Sequence, residues 1–116
     1  MTSPADIYLR FLQLVEALNG LPTLAALDPL EQRVLDHVAR SRQAGGALSV
    51  RQLIAEEQFG SPATLHARLT SMRKKGWLML CDTEDARRKD IQLTPAALDH
   101  FGRLSDCLLR AAQTKS

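Results

Sequence analysis

The spacing of apolar residues changes along the chain, and each change marks an element. Ile7, Phe11, Leu14, Val15 and Leu18 recur every three to four residues and predict a first helix, with Leu9 and Leu12 widening its apolar surface. Ser3-Pro4-Ala5-Asp6 gives it a cap, a proline and a first-turn acid, and Asn19-Gly20-Leu21-Pro22 ends it. Leu30, Val34, Leu35 and Val38 repeat the pattern behind Asp28-Pro29, where Glu31 stands three residues after the cap. Glu31, Arg33, Asp36 and Arg40 are expected on the wet face of this second helix, which Ala44-Gly45-Gly46 interrupts. Ser49-Val50-Arg51-Gln52 resembles a capping box opening a short helix with Val50, Leu53 and Ile54 inward. Phe59-Gly60 makes a turn, and a helix from about Pro62 to Lys75 follows behind the cap Ser61. Its apolar stripe is narrow (Leu65, Leu69 and Met72), and Lys74-Lys75-Gly76 supplies the stop.

After Gly76 the period switches. Trp77 to Cys81 reads as a strand, Asp82 to Asp90 as a charged loop, and Ile91-Gln92-Leu93 as the returning strand. Ala47-Leu48 fits a very short strand pairing with this hairpin. Thr94-Pro95 then opens a last helix carrying Leu98, Phe101, Leu104, Leu108 and Leu109 to about Ala112, before a frayed Thr114-Lys115-Ser116. The expected class is mostly α with a small β-hairpin (α+β). Two short helices at a tight turn, followed by a hairpin, outline a winged helix-turn-helix, a module that sets one helix in a DNA groove and a loop beside it. The chain divides accordingly into residues 1–27 (helix and linker, dimerisation), 28–94 (DNA-binding domain) and 95–116 (dimerisation helix).

Composition narrows the classes without choosing among them. At 116 residues, 45% apolar and 24% charged, the chain suits one ordinary globular domain. No apolar run approaches the ~18 residues of a membrane span, and no signal peptide precedes the first helix, so the cytoplasm is the expected location. Cys81 and Cys107 have no metal-ligand spacing and read as small apolar side chains in a reducing compartment. No phosphate loop, nucleophile elbow or paired-carboxylate site is present, and three histidines on three predicted helices make no motif. Neither an enzyme, a metal site nor a cofactor is expected.

Charge distribution says more than the net +2. Ser61 to Lys89 holds seven basic residues against three acids, leaving eight and ten for the remainder. A basic module on a slightly acidic body fits phosphate binding at one face. With the stripe of the Pro62–Lys75 helix inward, Ala63, Ala67, Thr70 and Lys74 fall opposite, flanked by Thr64, His66, Ser71 and Arg73. This small, polar and basic face suits a major groove about 12 Å wide. Thr64, His66 and Thr70 could hydrogen-bond base edges or phosphates, Ala63 or Ala67 could touch a thymine methyl, Arg68, Arg73 and Lys74 could meet phosphates, and the cap Ser61 is counted with these DNA-binding residues. Arg87, Arg88 and Lys89 charge the hairpin loop, and an arginine at such a tip can enter a narrow minor groove. Asp85, two residues before Arg87, is placed to brace its guanidinium.

From about Asp28 to Ala97 the chain resembles the winged helix-turn-helix of the MarR family of bacterial transcription regulators. Arg73-Lys74-Lys75-Gly76-Trp77-Leu78 is similar to that family's ending of the recognition helix. Asp85-Ala86-Arg87 matches its Asp-x-Arg wing signature, and Ile91-Gln92-Leu93-Thr94 the strand and cap leading onward. Ala97 stands where the family usually has glycine, Met72 where leucine is commoner, and the terminal helices, Ser3–Leu18 and Pro95–Gln113, are shorter than is typical. The resemblance implies a homodimeric regulator of transcription, read as a repressor, that binds double-stranded DNA with Arg87 in the minor groove. Two-fold symmetry would then set half-sites roughly 34–36 Å apart. The dimer is expected through Ile7, Phe11, Leu14, Leu18, Leu104 and Leu108. A ligand response is not carried over. A winged helix used only for protein–protein assembly is the alternative, favoured by the modest net charge and the apolar terminal helices.

Overall fold

The structure, a computed structural model, describes residues 3–19 and 24–113. It is mostly helical with a small three-stranded antiparallel sheet, an α+β arrangement. In chain order the elements are α1 (Pro4–Asn19), α2 (Pro29–Gln43), β1 (Leu48–Ser49), α3 (Val50–Ala55), α4 (Pro62–Lys74), β2 (Leu78–Asp82), β3 (Lys89–Leu93) and α5 (Pro95–Ala112). They fall into two compact units, Leu24–Ala97 and the pair of segments Met1–Thr23 and Leu98–Ser116. The expected stop after Asn19 and the frayed C-terminal tripeptide lie outside the described residues.

Caps explain most of the boundaries in the Leu24–Ala97 unit. Asp28 and Glu31 exchange side chain-to-backbone hydrogen bonds of 2.7 and 2.9 Å at the start of α2, and Ser49 and Gln52 do the same at the start of α3. Gly76 (φ +87°) ends α4 in a left-handed turn, its N–H donating to Arg73 O and that of Trp77 to Met72 O, at 3.1 and 3.0 Å. Thr94 Oγ1 donates to Gly76 O and accepts from Ala97 N–H at 3.0 Å, tying the end of α4 to the start of α5.

The sheet order is β1-β3-β2, with Leu48 opposite Ile91 and Leu78 opposite Leu93. Strands β2 and β3 run further toward the loop than alternation predicts, because Asp82 and Lys89 pair across the ladder through both backbone and side chains. The loop therefore contracts to residues 83–88. At the other end Trp77 precedes the strand; its buried indole donates to Ala25 O at 2.8 Å. β1 is Leu48–Ser49, one residue later than expected, since Ser49 pairs with Asp90 before capping α3.

The core of this unit joins Val34, Leu35 and Val38 of α2 to Leu53 of α3, Leu65, Leu69 and Met72 of α4, and Leu78, Ile91 and Leu93 of the sheet. Phe59 is buried in the α3–α4 turn, with the His37 ring edge-on at 5.4 Å and the Arg33 guanidinium 5.5 Å above it. Val50 and Ile54 are half-buried rather than inward. Glu31 departs from the expected wet face: it is 1% exposed, because its carboxylate folds back onto its own cap and meets Lys75 Nζ at 2.7 Å.

In the other unit Leu18, Cys107 and Ala111 are buried, and Ile7, Phe11, Leu14, Val15 and Leu104 half-buried. Tyr8, Leu9, Leu12, Leu98, Leu108 and Leu109 are exposed. Among the described residues both cysteines are free thiols, and no helix is long and apolar enough to cross a membrane.

Candidate nucleic-acid interface

Helix α4 turns one face to the core and leaves the other open. Ser61 Oγ accepts from Thr64 N–H at 3.2 Å and donates to Thr64 Oγ1 at 3.0 Å, so the Thr64 hydroxyl keeps its proton to donate elsewhere. Gly60 (φ +99°) turns the chain into this cap. With Leu65, Leu69 and Met72 buried, Ala63, Thr64, His66, Ala67, Thr70, Arg73 and Lys74 are all exposed. Thr70 donates its hydroxyl to His66 O at 3.0 Å and so retains only acceptor capacity. Ser71 is half-buried beside the Glu31 carboxylate and leaves the outer face.

The loop between β2 and β3 is held by its own hydrogen bonds. Asp85 Oδ1 accepts from Arg87 N–H at 2.9 Å, Asp85 O accepts from Arg88 N–H at 2.9 Å, and Thr83 Oγ1 donates to Asp85 O at 2.8 Å. Asp85 thus shapes the turn through the backbone of Arg87, and does not brace the guanidinium as its spacing suggested. An aspartate two residues before an amide reaches that N–H with little chain ordering, whereas a guanidinium must fold a long side chain back.

Ion pairs sort the basic residues into two groups. Arg68 is half-buried, its Nε 3.0 Å from Asp28 Oδ2, a charge contact without hydrogen-bond alignment. Lys75 meets Glu31, Arg88 Nε donates to Asp90 Oδ1 at 2.7 Å and its Nη2 to Ala47 O at 3.2 Å, and Lys89 pairs with Asp82. Arg51, Arg73, Lys74 and Arg87 have no side-chain partner among the described residues and are exposed.

An open cleft of about 850 Å³ lies between α3, α4 and the hairpin loop. Arg51 and Gln52 of α3, His66, Thr70 and Arg73 of α4, and Asp85, Arg87, Arg88 and Lys89 of the hairpin line it, with Val50, Ile54, Leu69 and Leu80 between them. Among the described residues Asp85 is its single carboxylate. Of the sequence-derived site residues, the fold thus brings His66, Thr70, Arg73, Asp85, Arg87, Arg88 and Lys89 together. The cap Ser61 and Ala63, Thr64 and Ala67 of α4 are exposed but do not line the cleft, and Lys74 lines a neighbouring depression with Met79 and Thr94. Arg51 joins the cleft residues although it is not among the sequence-derived site residues. Its signal was its place two residues before buried Leu53, on the opposite side of α3.

A surface of this kind favours polyanions, because unneutralised guanidiniums around a concave wall raise the local positive potential. Compared with known protein families, curated proteins and solved structures, the chain matches none of them.

Proposed function

We propose that the Leu24–Ala97 unit works as a MarR-like winged helix-turn-helix that binds duplex DNA, and that the chain acts as a homodimeric regulator of transcription in the cytoplasm. Helix α4 is the recognition helix and the β2–β3 loop the wing. One observation carries this reading: the exposed face of α4 and the wing converge on a cleft lined by Arg73 and Arg87, both without a counter-charge among the described residues. Thr64, His66 and Thr70 meet the major groove, with Ala63 and Ala67 small enough to let the helix approach, and Arg87 enters the minor groove. Arg68, first expected at a phosphate, and Arg88 and Lys89, first expected among the DNA-binding residues of the loop, are each paired inside the protein, so this reading rests on Arg73 and Arg87 instead.

Binding to random-sequence duplex DNA across a salt series, with the oligomeric state measured in the same buffers, tests the proposal. Phosphate neutralisation makes the logarithm of affinity fall steeply with the logarithm of salt. Arg87→Ala should weaken binding about tenfold or more, on the ~1–3 kcal/mol scale of a specific contact, with secondary structure and oligomeric state unchanged. An unchanged affinity at fixed salt would remove Arg87 from the interface. The assembly reading keeps one supporting observation, the six exposed large apolar side chains outside the Leu24–Ala97 unit. No DNA binding at low salt, together with a stable hetero-assembly, would establish it instead.

A further inference from the structure

We propose that the cleft seats one sugar–phosphate strand of the duplex and that Arg51, on α3, is a phosphate ligand alongside Arg73 of α4. The inference rests on the DNA-binding reading and adds a third wall to it. If α4 occupies the major groove and Arg87 the minor groove, the strand dividing those grooves runs between α4 and the wing. That is where the cleft lies. Half-buried Val50, Ile54 and Leu80 offer apolar surface suited to deoxyribose, while Arg51 of α3 and Arg73 of α4 both line the cleft and are available to phosphates. The lone carboxylate, Asp85, already accepts the Arg87 N–H.

Among the described residues Arg51 makes no ion pair or side-chain hydrogen bond that would tie it to the fold. Its side chain is exposed and unpaired among the described residues, and it sits in the first turn of α3, where the free backbone N–H groups disfavour a cation. The three unpaired guanidiniums of the cleft, those of Arg51, Arg73 and Arg87, also repel each other until a polyanion arrives. A residue placed against local electrostatics in this way fits a binding role better than a folding one.

The salt dependence of DNA binding should be compared for wild type, Arg51→Ala, Arg51→Lys and Arg110→Ala, the last an exposed charge on α5. Each protein would be titrated with a random duplex and with a duplex selected by the wild type. Losing one phosphate contact lowers the slope of log affinity against log salt by about 0.9. Arg51→Ala should show that decrease and weaken both duplexes by the same factor, with a melting temperature equal to or above wild type. Arg51→Lys should keep the slope, and Arg110→Ala should keep slope and affinity. If Arg51→Ala matches Arg110→Ala while wild type binds, the strand assignment is wrong and the DNA reading stands. Loss confined to the selected duplex would also overturn it, by making Arg51 a base reader. Absence of salt-dependent binding by wild type would overturn both.

Discussion

Glu31 carries two tasks that its position in the sequence only half reveals. Its Oε1 accepts the Asp28 N–H and the Lys75 ammonium, joining the start of α2 to the end of α4. Burial alone would raise its pKa, but the hydrogen bonds from Asp28 N–H and the Lys75 ammonium outweigh that and hold it below the ordinary 4.5. Because the native pKa is depressed, the stabilisation is complete above about pH 4.5 and is lost as pH falls through the native value. Glu31→Gln should cost ~1–3 kcal/mol at neutral pH, since half-buried Lys75 then lacks its counter-charge. Urea denaturation of both proteins from pH 7 to 3 checks this. The gap should close at the acid end, and a gap constant over that range would mean that the charge contributes nothing. The capping role was legible from the Asp28-to-Glu31 spacing. The burial was not, because its partner lies 44 residues away and only the packed helices bring them together.

At the scale of elements, local chemistry carries further. The starts of α2, α3, α4 and α5 and the end of α4 follow from caps, first-turn prolines and one glycine, all of which act within a few residues. Gly76 tests this most directly, because its left-handed φ of +87° would strain any side chain. An added Cβ would lie 3.1 Å from Leu24 Cδ2, a flexible methyl that can give way. Gly76→Ala should therefore destabilise by about 1–2 kcal/mol, mostly through conformation. Gly60→Ala, at φ +99° with only Thr64 side-chain atoms 3.8 Å or more away, isolates the conformational cost. Equal losses in thermal melts would assign the whole effect to φ, and a neutral Gly76→Ala would show that the α4 ending relaxes. The hairpin was harder to read. Alternation marked Ile91-Gln92-Leu93, but Asp82, Lys89 and Asp90 join the strands although charged, because the ladder needs only their backbone and cross-strand pairing satisfies their side chains. Opposite charges within one loop also hid which cations stay free, since that depends on pairs made across strands and helices.

For the whole molecule, the division of exposed apolar surface decides the next step. Periodicity marks the faces of α1 and α5 as apolar without saying which flank is covered inside one chain. Leu18 is buried and Ile7, Phe11, Leu14 and Leu104 half-buried in the monomer, so most of the contact residues first expected for a dimer are already partly covered. What remains open is Tyr8, Leu9 and Leu12 of α1 and Leu98, Leu108 and Leu109 of α5, all in one unit. In water exposed apolar side chains gain by being covered, and a second copy offers an identical surface for a two-fold contact. The contact of the proposed dimer therefore falls on these exposed side chains, with Leu108 the member shared with the first expectation. Leu12→Glu combined with Leu108→Glu should give a folded monomer, because both positions are already exposed in the single chain. Light scattering over a dilution series measures the mass, and circular dichroism reports whether the helices persist. Losing the dimer should lower affinity for a two-half-site duplex by roughly 10²- to 10⁴-fold through lost avidity, while a single half-site is bound as before. A double variant that remains dimeric would move the contact elsewhere. A wild-type monomer at micromolar concentration that still binds the two-half-site duplex tightly would remove the dimer from the mechanism.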